Sequence, residues 1–478
     1  MVTILDTTLR EGELHPGILY THDKRLAIAE ALADIGVPRI EFPLVHPQRG
    51  GRISEINEAI TLVQNYGATA ILQFRAYRPD LELATQFNAR GAGVFLAISE
   101  EQKAKIGNLT DEECVERLRD SLFFLKDHGF KYRRAVLEDA GRYFTKVTSP
   151  KNTFERFHRY VKSVEEAGAT VISVPDTSGL LTSEQAKNLI RSVRSAVRVE
   201  VEVAGHFHND YGNSLGNALA VTTGADHARV DEIHTSISGI GARNGITDFY
   251  ELVANLEDNF GIRTGIRREG LRQLYDFYKD IMRDHYTSRD CLAPQVAVEQ
   301  AGTHQAQQLR DPGGYIPPLK LKHDIREIKF AASNIMSRHV MDEVMNEYNL
   351  GEAAIIAITN TIAERSVFHS RTISPPEVQD IIESITGVRV PSEAVGKIVY
   401  GGREHVYIHI NVRPQCPARE IIDELYHWPE VVRIDEVYGD IDIVVLAATR
   451  DRQGNYTVDK IREQFKDAIL KTNTLTIE

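Results

Sequence analysis

The sequence is short of the residues that would mark several large classes of protein. Of its 478 residues one is tryptophan and three are cysteine, and Cys114, Cys291 and Cys416 lie far apart. Three separated thiols make neither a disulfide framework nor a zinc knuckle, which points to a reducing, cytoplasmic setting. No apolar stretch approaches bilayer-spanning length, and the first residues read as a strand rather than a leader, so no membrane association is expected. Basic residues are in deficit, 56 against 68 acidic, for a formal charge of −12. That balance argues against general binding to nucleic acid or to anionic lipid. What is left is a soluble chain with 42% hydrophobic content, enough for two or three domain cores.

The pattern that is present has a clear period. Short β-branched runs at residues 3–5, 39–42, 69–74, 93–97, 133–137, 170–174, 199–204 and 232–236 alternate with amphipathic helical stretches such as 23–35 and 182–193. Eight strand-then-helix units predict an α/β fold, a (β/α)8 TIM barrel over residues 1–262. An open doubly wound sheet is disfavoured, because no glycine-rich nucleotide fingerprint follows the first strand. Residues 263–400 read as helical subdomains, with turns at Asp311-Pro312-Gly313-Gly314 and Ser374-Pro375-Pro376. From 401 to 478 the order is strand, helix, strand, strand, helix, strand. This is the ferredoxin-like βαββαβ arrangement, in a separate domain without a catalytic-looking cluster.

Two clusters carry chemistry. In Gly205-His206-Phe207-His208-Asn209-Asp210, side chains two apart on a strand share a face, so His206 and His208 project together. Two imidazoles are half of a metal site. The other half is offered by Asp6-Thr7-Thr8-Leu9-Arg10-Glu11-Gly12-Glu13, where Glu11 or Asp6 supplies an oxygen ligand. Arg10 beside them is a fixed cation suited to an oxyanion forming on a carbonyl. Further polar groups fall at expected barrel strand ends: Arg75, Glu138-Asp139, Asp176-Thr177 and Arg243-Asn244. Aimed at one mouth with a metal, they suit a small polyanionic substrate.

In combination, the motifs at 6–13, at 206–210 and at 239–247 (Gly-x-Gly-x-Arg-Asn-Gly-Ile-Thr) resemble the DRE-TIM metallolyases. Within that superfamily they are most similar to the homocitrate synthase branch, with 2-isopropylmalate and citramalate synthases as near relatives. The resemblance implies a divalent metal (zinc, manganese, magnesium or cobalt) held by Glu11, His206 and His208, with Arg10 polarising the keto oxygen of a 2-oxo acid. It makes Glu138 and Thr177 substrate-binding positions and Arg134 and Lys103 carboxylate partners. Gly302-Thr303-His304 and the later Tyr315 resemble a pair that the synthases have and the lyases of the superfamily lack. In that family the histidine comes from a neighbouring protomer and helps enolise acetyl-CoA, so a homo-oligomer is implied.

The implied reaction is a metal-dependent Claisen condensation of acetyl-CoA with a 2-oxo acid, foremost 2-oxoglutarate to give homocitrate in lysine-type biosynthesis. Another 2-oxo acid, as in isopropylmalate, citramalate or citrate-type synthases, and retro-aldol cleavage are the enzyme alternatives. Three departures from the family pattern, Leu14, Val136 and Ala242, lie around substrate rather than metal and question the acid more than the chemistry. The last domain resembles the ligand-binding module of leucine-responsive regulators, with Gly439-Asp440-Ile441-Asp442-Ile443-Val444 as its signature. That likeness implies an amino-acid effector. A non-catalytic amino-acid sensor is the remaining alternative, weakened by the intact Arg10, Glu11, His206 and His208.

Overall fold

The computed structural model describes residues 2–145, 153–282, 298–316, 321, 328–345, 348, 351–400, 404–426, 428, 431–437, 439–449 and 455–476. Cys291, Tyr438 and Ile477 lie outside them. Eight parallel strands close into a barrel: β1 (Thr3–Asp6), β2 (Arg39–Pro43), β3 (Thr69–Arg75), β4 (Gly91–Ala97), β5 (Tyr132–Glu138), β6 (Val171–Asp176), β7 (Glu202–Phe207) and β8 (Glu232–Thr235). Each pairs with the next, and β8 returns to β1 with Thr3 opposite Glu232. This is the expected TIM barrel.

The pleat sorts each strand into two faces. Outward side chains such as Ile40, Leu72, Val94, Ile172, Val203 and Ile233 are fully buried under the surrounding helices. Each contributes about 1.5–3 kcal/mol by leaving water. The inward face starts on an apolar floor of Leu5, Ile71, Tyr132, Val171 and Ala204. One step of the pleat higher it turns polar, with Glu41, Gln73, Arg134, Ser173, His206 and His234. Gly93 on β4 makes this layer fit, since a Cβ there would stand 2.9 Å from Arg134 Nε.

Local chemistry moved several boundaries. The run at 199–204 is not all strand: Val201 N–H donates to Arg198 O (3.2 Å), closing a turn that leaves Val199 89% exposed. β7 therefore begins at Glu202 and carries His206 inside it. The helix Ser183–Ala196 starts on a full capping box between Thr182 and Gln185. Ser374-Pro375-Pro376 is not a turn but the start of the helix Pro375–Thr386. Ser374 caps it reciprocally with Glu377, and the prolines occupy first-turn positions, where no N–H is needed.

Beyond the strands, the helix Leu271–Met282 packs Leu271, Leu274 and Tyr278 into the barrel's own core, which thus runs past residue 262. A second apolar cluster spans Phe330 to Val399 and a third Val406 to Ile469. Two short parallel strands, β9 (Val298–Glu299) and β10 (Lys329–Phe330), interrupt the stretch expected to be helical. The last unit runs β11 (Glu404–Val412), helix Ala418–Tyr426, β12 (Val431–Glu436), β13 (Ile443–Thr449), helix Asn455–Gln464, β14 (Ile469–Thr476). Its sheet is antiparallel in the order β12-β13-β11-β14. Asp442 ties strand ends there, accepting from Val412 N–H at 2.7 Å. Among the described residues no helix is long and apolar enough to cross a membrane.

Candidate active site

The polar layer opens into a cavity of about 160 Å3 at the carboxyl ends of the barrel strands, lined among others by Arg10, Glu11, Glu138, His206, His208 and His304. The short helix Thr8–Glu11 after β1 delivers the first two. Arg10 Nη1 lies 2.7 Å from Glu11 Oε2, and its Nε donates to Glu41 of β2. Burial pushes the Glu41 carboxyl up, but the Arg10 and Arg134 charges outweigh it and hold the group at about 2. Of the two oxygen candidates, Glu11 reaches the cavity. Asp6 sits behind it, accepting from Thr8 N–H (2.9 Å) and pushed up to about 7 by burial. The loop after β8 closes over Glu11, whose Oε1 accepts from Ala242 N–H at 3.3 Å. Gly245 in that loop has φ +73°, and a Cβ on it would fall 1.8 Å from Gly239 O.

His206 and His208 face each other, Nε2 to Nε2, at 3.3 Å. Behind them stands a histidine that motif reading missed, His234 of β8. Burial raises the Glu232 carboxyl, but the His234 hydrogen bond and nearby cations outweigh it and hold Glu232 at about 2. The ionised carboxylate accepts from His234 Nε2 at 2.8 Å. Burial foremost pushes all three imidazoles down, so the rings are neutral. A neutral ring protonated on Nε2 offers Nδ1 as an acceptor, and His234 Nδ1 lies 3.3 Å from His206 Nδ1. His206 therefore turns a bare Nε2 into the cavity. His208 Nδ1 is buried without a hydrogen-bond partner. Two neutral imidazoles beside the Glu11 carboxylate are a donor set for a divalent ion of borderline softness, so these residues fit the metal the motifs imply. Among the described residues, no three His, Cys, Asp or Glu side chains are already drawn into an ion cage.

Residues 298–316 cover this mouth in the same chain. Buried glutamines clamp them: Gln300 Nε2 donates to Glu13 O (2.7 Å), Gln102 Nε2 to Gly314 O (2.7 Å) and Gln307 Nε2 to Glu101 O (2.7 Å). His304 lies in the cavity of its own barrel in this single chain, at the place where the resemblance implies a histidine from a neighbouring protomer. Its Nδ1 lies 3.1 Å from Glu299 Oε2, and its ring stacks on Tyr315 with centroids 3.9 Å apart. The Tyr315 hydroxyl donates to Glu138 Oε1 at 2.8 Å. Thr177 lines the cavity too, its hydroxyl oxygen accepting from Asp139 N–H at 2.9 Å.

Three cations expected to bind substrate are placed elsewhere. Arg75 makes a two-pronged pair with Asp80 (2.7 and 2.7 Å), because β3 ends there and the next helix brings Asp80 alongside. Lys103 is held by Asp111 and Glu100. Arg134 lies beneath the cavity, fully buried and spent on Glu41 and Gln73. The cation found near Glu138 is Lys105, Nζ 2.6 Å from Oε1. Lys105 left no sequence signal, but Glu41, Glu232 and His234 did: each is an ionisable side chain at an inward position of a barrel strand.

Fold and cavity together define a (β/α)8-barrel protein whose mouth gathers a guanidinium, carboxylates and paired imidazoles. The chain belongs to the HMGL-like family, whose model matches residues 1–277. It is similar to a homocitrate synthase of Sulfurisphaera tokodaii, 26% identical over 96% of both chains. It is also similar to a homocitrate synthase of Sulfolobus acidocaldarius, 27% identical over 96% of this chain and 94% of that one. Among solved structures, HMG-CoA lyase of Bacillus subtilis matches with a TM-score of 0.50 at 21% identity, over 61% of this chain and 96% of that one. Hydroxymethylglutaryl-CoA lyase of Pseudomonas aeruginosa matches at 0.51 and 20%, with the same coverage. At such identities these structures speak for the barrel alone.

Proposed function

We propose that this protein joins the methyl carbon of acetyl-CoA to the keto carbon of a 2-oxo acid, with hydrolysis of the thioester and release of free CoA. The observation that carries the reading is that His304 shares one cavity with Arg10, Glu11, His206 and His208. A proton acceptor from the appended segment thereby faces an electrophile-binding set on the barrel. Bound to Glu11, His206 and His208, a divalent ion would supply Lewis acidity toward the keto acid. Arg10 sets a fixed positive charge beside the oxygen that becomes an alkoxide. Glu299 accepts from His304 Nδ1, which leaves Nε2 to take a proton. Glu138, which lines the same cavity and whose Oε2 is buried without a hydrogen-bond partner, is the second acceptor. The methyl proton of acetyl-CoA leaves to Glu138, from which His304 Nε2 takes it on, and the C–H electron pair stays behind as the enolate.

The relatives named homocitrate synthase favour 2-oxoglutarate as the acid, giving homocitrate in lysine-type biosynthesis. A second reading has its own support. Leu14, Phe95, Val136 and Pro175 wall the cavity, and Arg134 is already paired, so the wall favours a 2-oxo acid with an uncharged end. Thiol release from acetyl-CoA with 2-oxoglutarate, oxaloacetate, pyruvate and 2-oxoisovalerate separates the two, and silence across all four with metal bound would contradict both. We also read the chain as three domains, 1–262, 263–400 and 401–478; separate apolar clusters at 330–399 and 406–469 support the later two, while the barrel core takes in Ile266, Leu271, Leu274 and Tyr278 from beyond residue 262. The sheet order of the last supports a ferredoxin-like domain. We assign it an amino-acid effector and contacts between protomers of a homo-oligomer.

A further inference from the structure

We infer that Lys105 is a positioning residue for the condensation: with Tyr315 it occupies one oxygen of Glu138, Oε1, and leaves the other, Oε2, without a hydrogen-bond partner in a carboxylate that lines the substrate cavity. This rests on the function proposed above for the same site. Lys105 Nζ lies 2.6 Å from Glu138 Oε1 and 3.1 Å from Gln102 Oε1, and it donates to the Tyr315 hydroxyl. The Tyr315 hydroxyl in turn donates to Oε1 at 2.8 Å. Both donors converge on one oxygen. Oε2 of the same carboxylate is buried and takes no hydrogen bond, although Glu138 lines the cavity. A buried carboxylate oxygen without a partner is unfavourable unless a ligand completes it.

The chain builds this arrangement deliberately. Lys105 stands in the 3-10 turn Ala104–Ile106, and its backbone N–H donates to Gln307 Oε1 at 3.0 Å. The turn is thereby locked to the segment that brings His304 and Tyr315. Lys103, two residues earlier, points to Asp111 instead. The two lysines divide their work between the shell and the site.

Glu138 is faced by Lys105, by the Tyr315 hydroxyl and by the His304 ring; Asp139 and Glu299 also face Lys105, and the Arg243 guanidinium lies 5.9 Å from the Tyr315 ring centre. Burial pushes the Glu138 carboxyl up, but Lys105 foremost, with the Tyr315 hydrogen bond, outweighs it and holds the group below its ordinary value. Burial in turn pushes the Lys105 ammonium down, opposed chiefly by Glu138. Without the lysine charge the carboxyl loses its main counterweight and protonates at higher pH. Protonated, it cannot take the acetyl-CoA methyl proton, whose C–H electron pair must stay behind as the enolate.

The test compares Lys105→Met, which keeps length without charge, with Lys105→Arg, using metal-loaded full-length enzyme and thiol release from pH 5 to 9. Lys105→Met is expected to lower kcat about tenfold or more at pH 7 and to move the acid limb up by about one unit, with activity recovering as pH rises. KM for the 2-oxo acid is expected to stay within about threefold, since uniform binding is untouched. Lys105→Arg is expected to keep the wild-type limb. A Lys105→Met limb at the wild-type position, or an equal loss at every pH, overturns the inference. If wild type releases no thiol with any acid, the functional reading fails while this one is still read directly. Infrared difference titration of the Glu138 carboxyl, identified against Glu138→Gln, then supports it by an upward shift in Lys105→Met and overturns it by none. Should Lys105→Met not fold, Lys105→Gln gives the same readings.

Discussion

Glu232 Oε1 and His234 Nε2 lie 2.8 Å apart, and through that contact the floor of the barrel selects which nitrogen of His206 faces the cavity. The carboxylate is itself fixed by the Tyr132 hydroxyl (2.8 Å) and by Arg39 Nη1 (2.6 Å). Partners that orient a metal-binding imidazole typically contribute about 10–100-fold in affinity. His234→Leu is therefore expected to weaken binding of manganese or cobalt by about that factor in a calorimetric titration. Affinity equal to wild type would contradict the tautomer assigned to His206.

In the proposed function His304 serves acetyl-CoA and not the metal. His304→Ala is expected to lower kcat for thiol release by about 10²–10⁴-fold, the usual worth of a positioned acid or base. Metal affinity should not change. A loss of metal together with activity would place His304 among the ligands instead.

Glu41 gives the fold a pH dependence whose sign follows from its depressed pKa. Burial raises the carboxyl, Arg10 and Arg134 outweigh it, and the group rests at about 2 against an ordinary 4.5. Its stabilising contribution is complete above about 4.5 and fades as pH falls toward about 2. Glu41→Gln leaves two buried guanidinium groups short of a counter-charge, which costs about 3–5 kcal/mol at pH 7. Urea unfolding of wild type and variant should show that gap narrowing between pH 5 and pH 3; a constant gap would refute the ionised pair.

Gly245 is expected to admit no side chain. Its φ of +73° and the 1.8 Å approach of a built Cβ to Gly239 O predict that Gly245→Ala loses about 3 kcal/mol or more, visible as a fall in Tm. The same loop holds Glu11 through Ala242 N–H, so metal affinity should fall with it.

How much of this was legible depends on where each contact comes from. The shared face of His206 and His208 was readable because a local rule suffices, the strand period; the charged loop after the first strand left Glu11 and Asp6 both open, and only the resemblance chose Glu11. The barrel was readable by local rules too, from eight repeats of one local pattern. Lys105 was not, because its meeting with Glu138 is made by barrel closure and by a segment some two hundred residues further on. Lys103, the nearer choice by motif, turns away to Asp111 for want of any local rule to separate the two. Arg75 failed for a smaller reason: β3 stops at it, and the following turn brings Asp80 close enough to claim it. His234 lay within reach, since a histidine two residues from a glutamate on a barrel strand is costly to bury unless they pair.

The central claim is that this cavity makes a carbon–carbon bond, and one measurement addresses it directly. Metal-loaded enzyme is given acetyl-CoA labelled with 13C in the methyl group together with each of the four 2-oxo acids, and the products are followed by 13C NMR. The account predicts that, with one of the acids and only with metal present, the methyl signal becomes the methylene of a hydroxy acid as free CoA appears. Label recovered solely as acetate or unreacted acetyl-CoA with every acid, in enzyme that retains its metal, would contradict it.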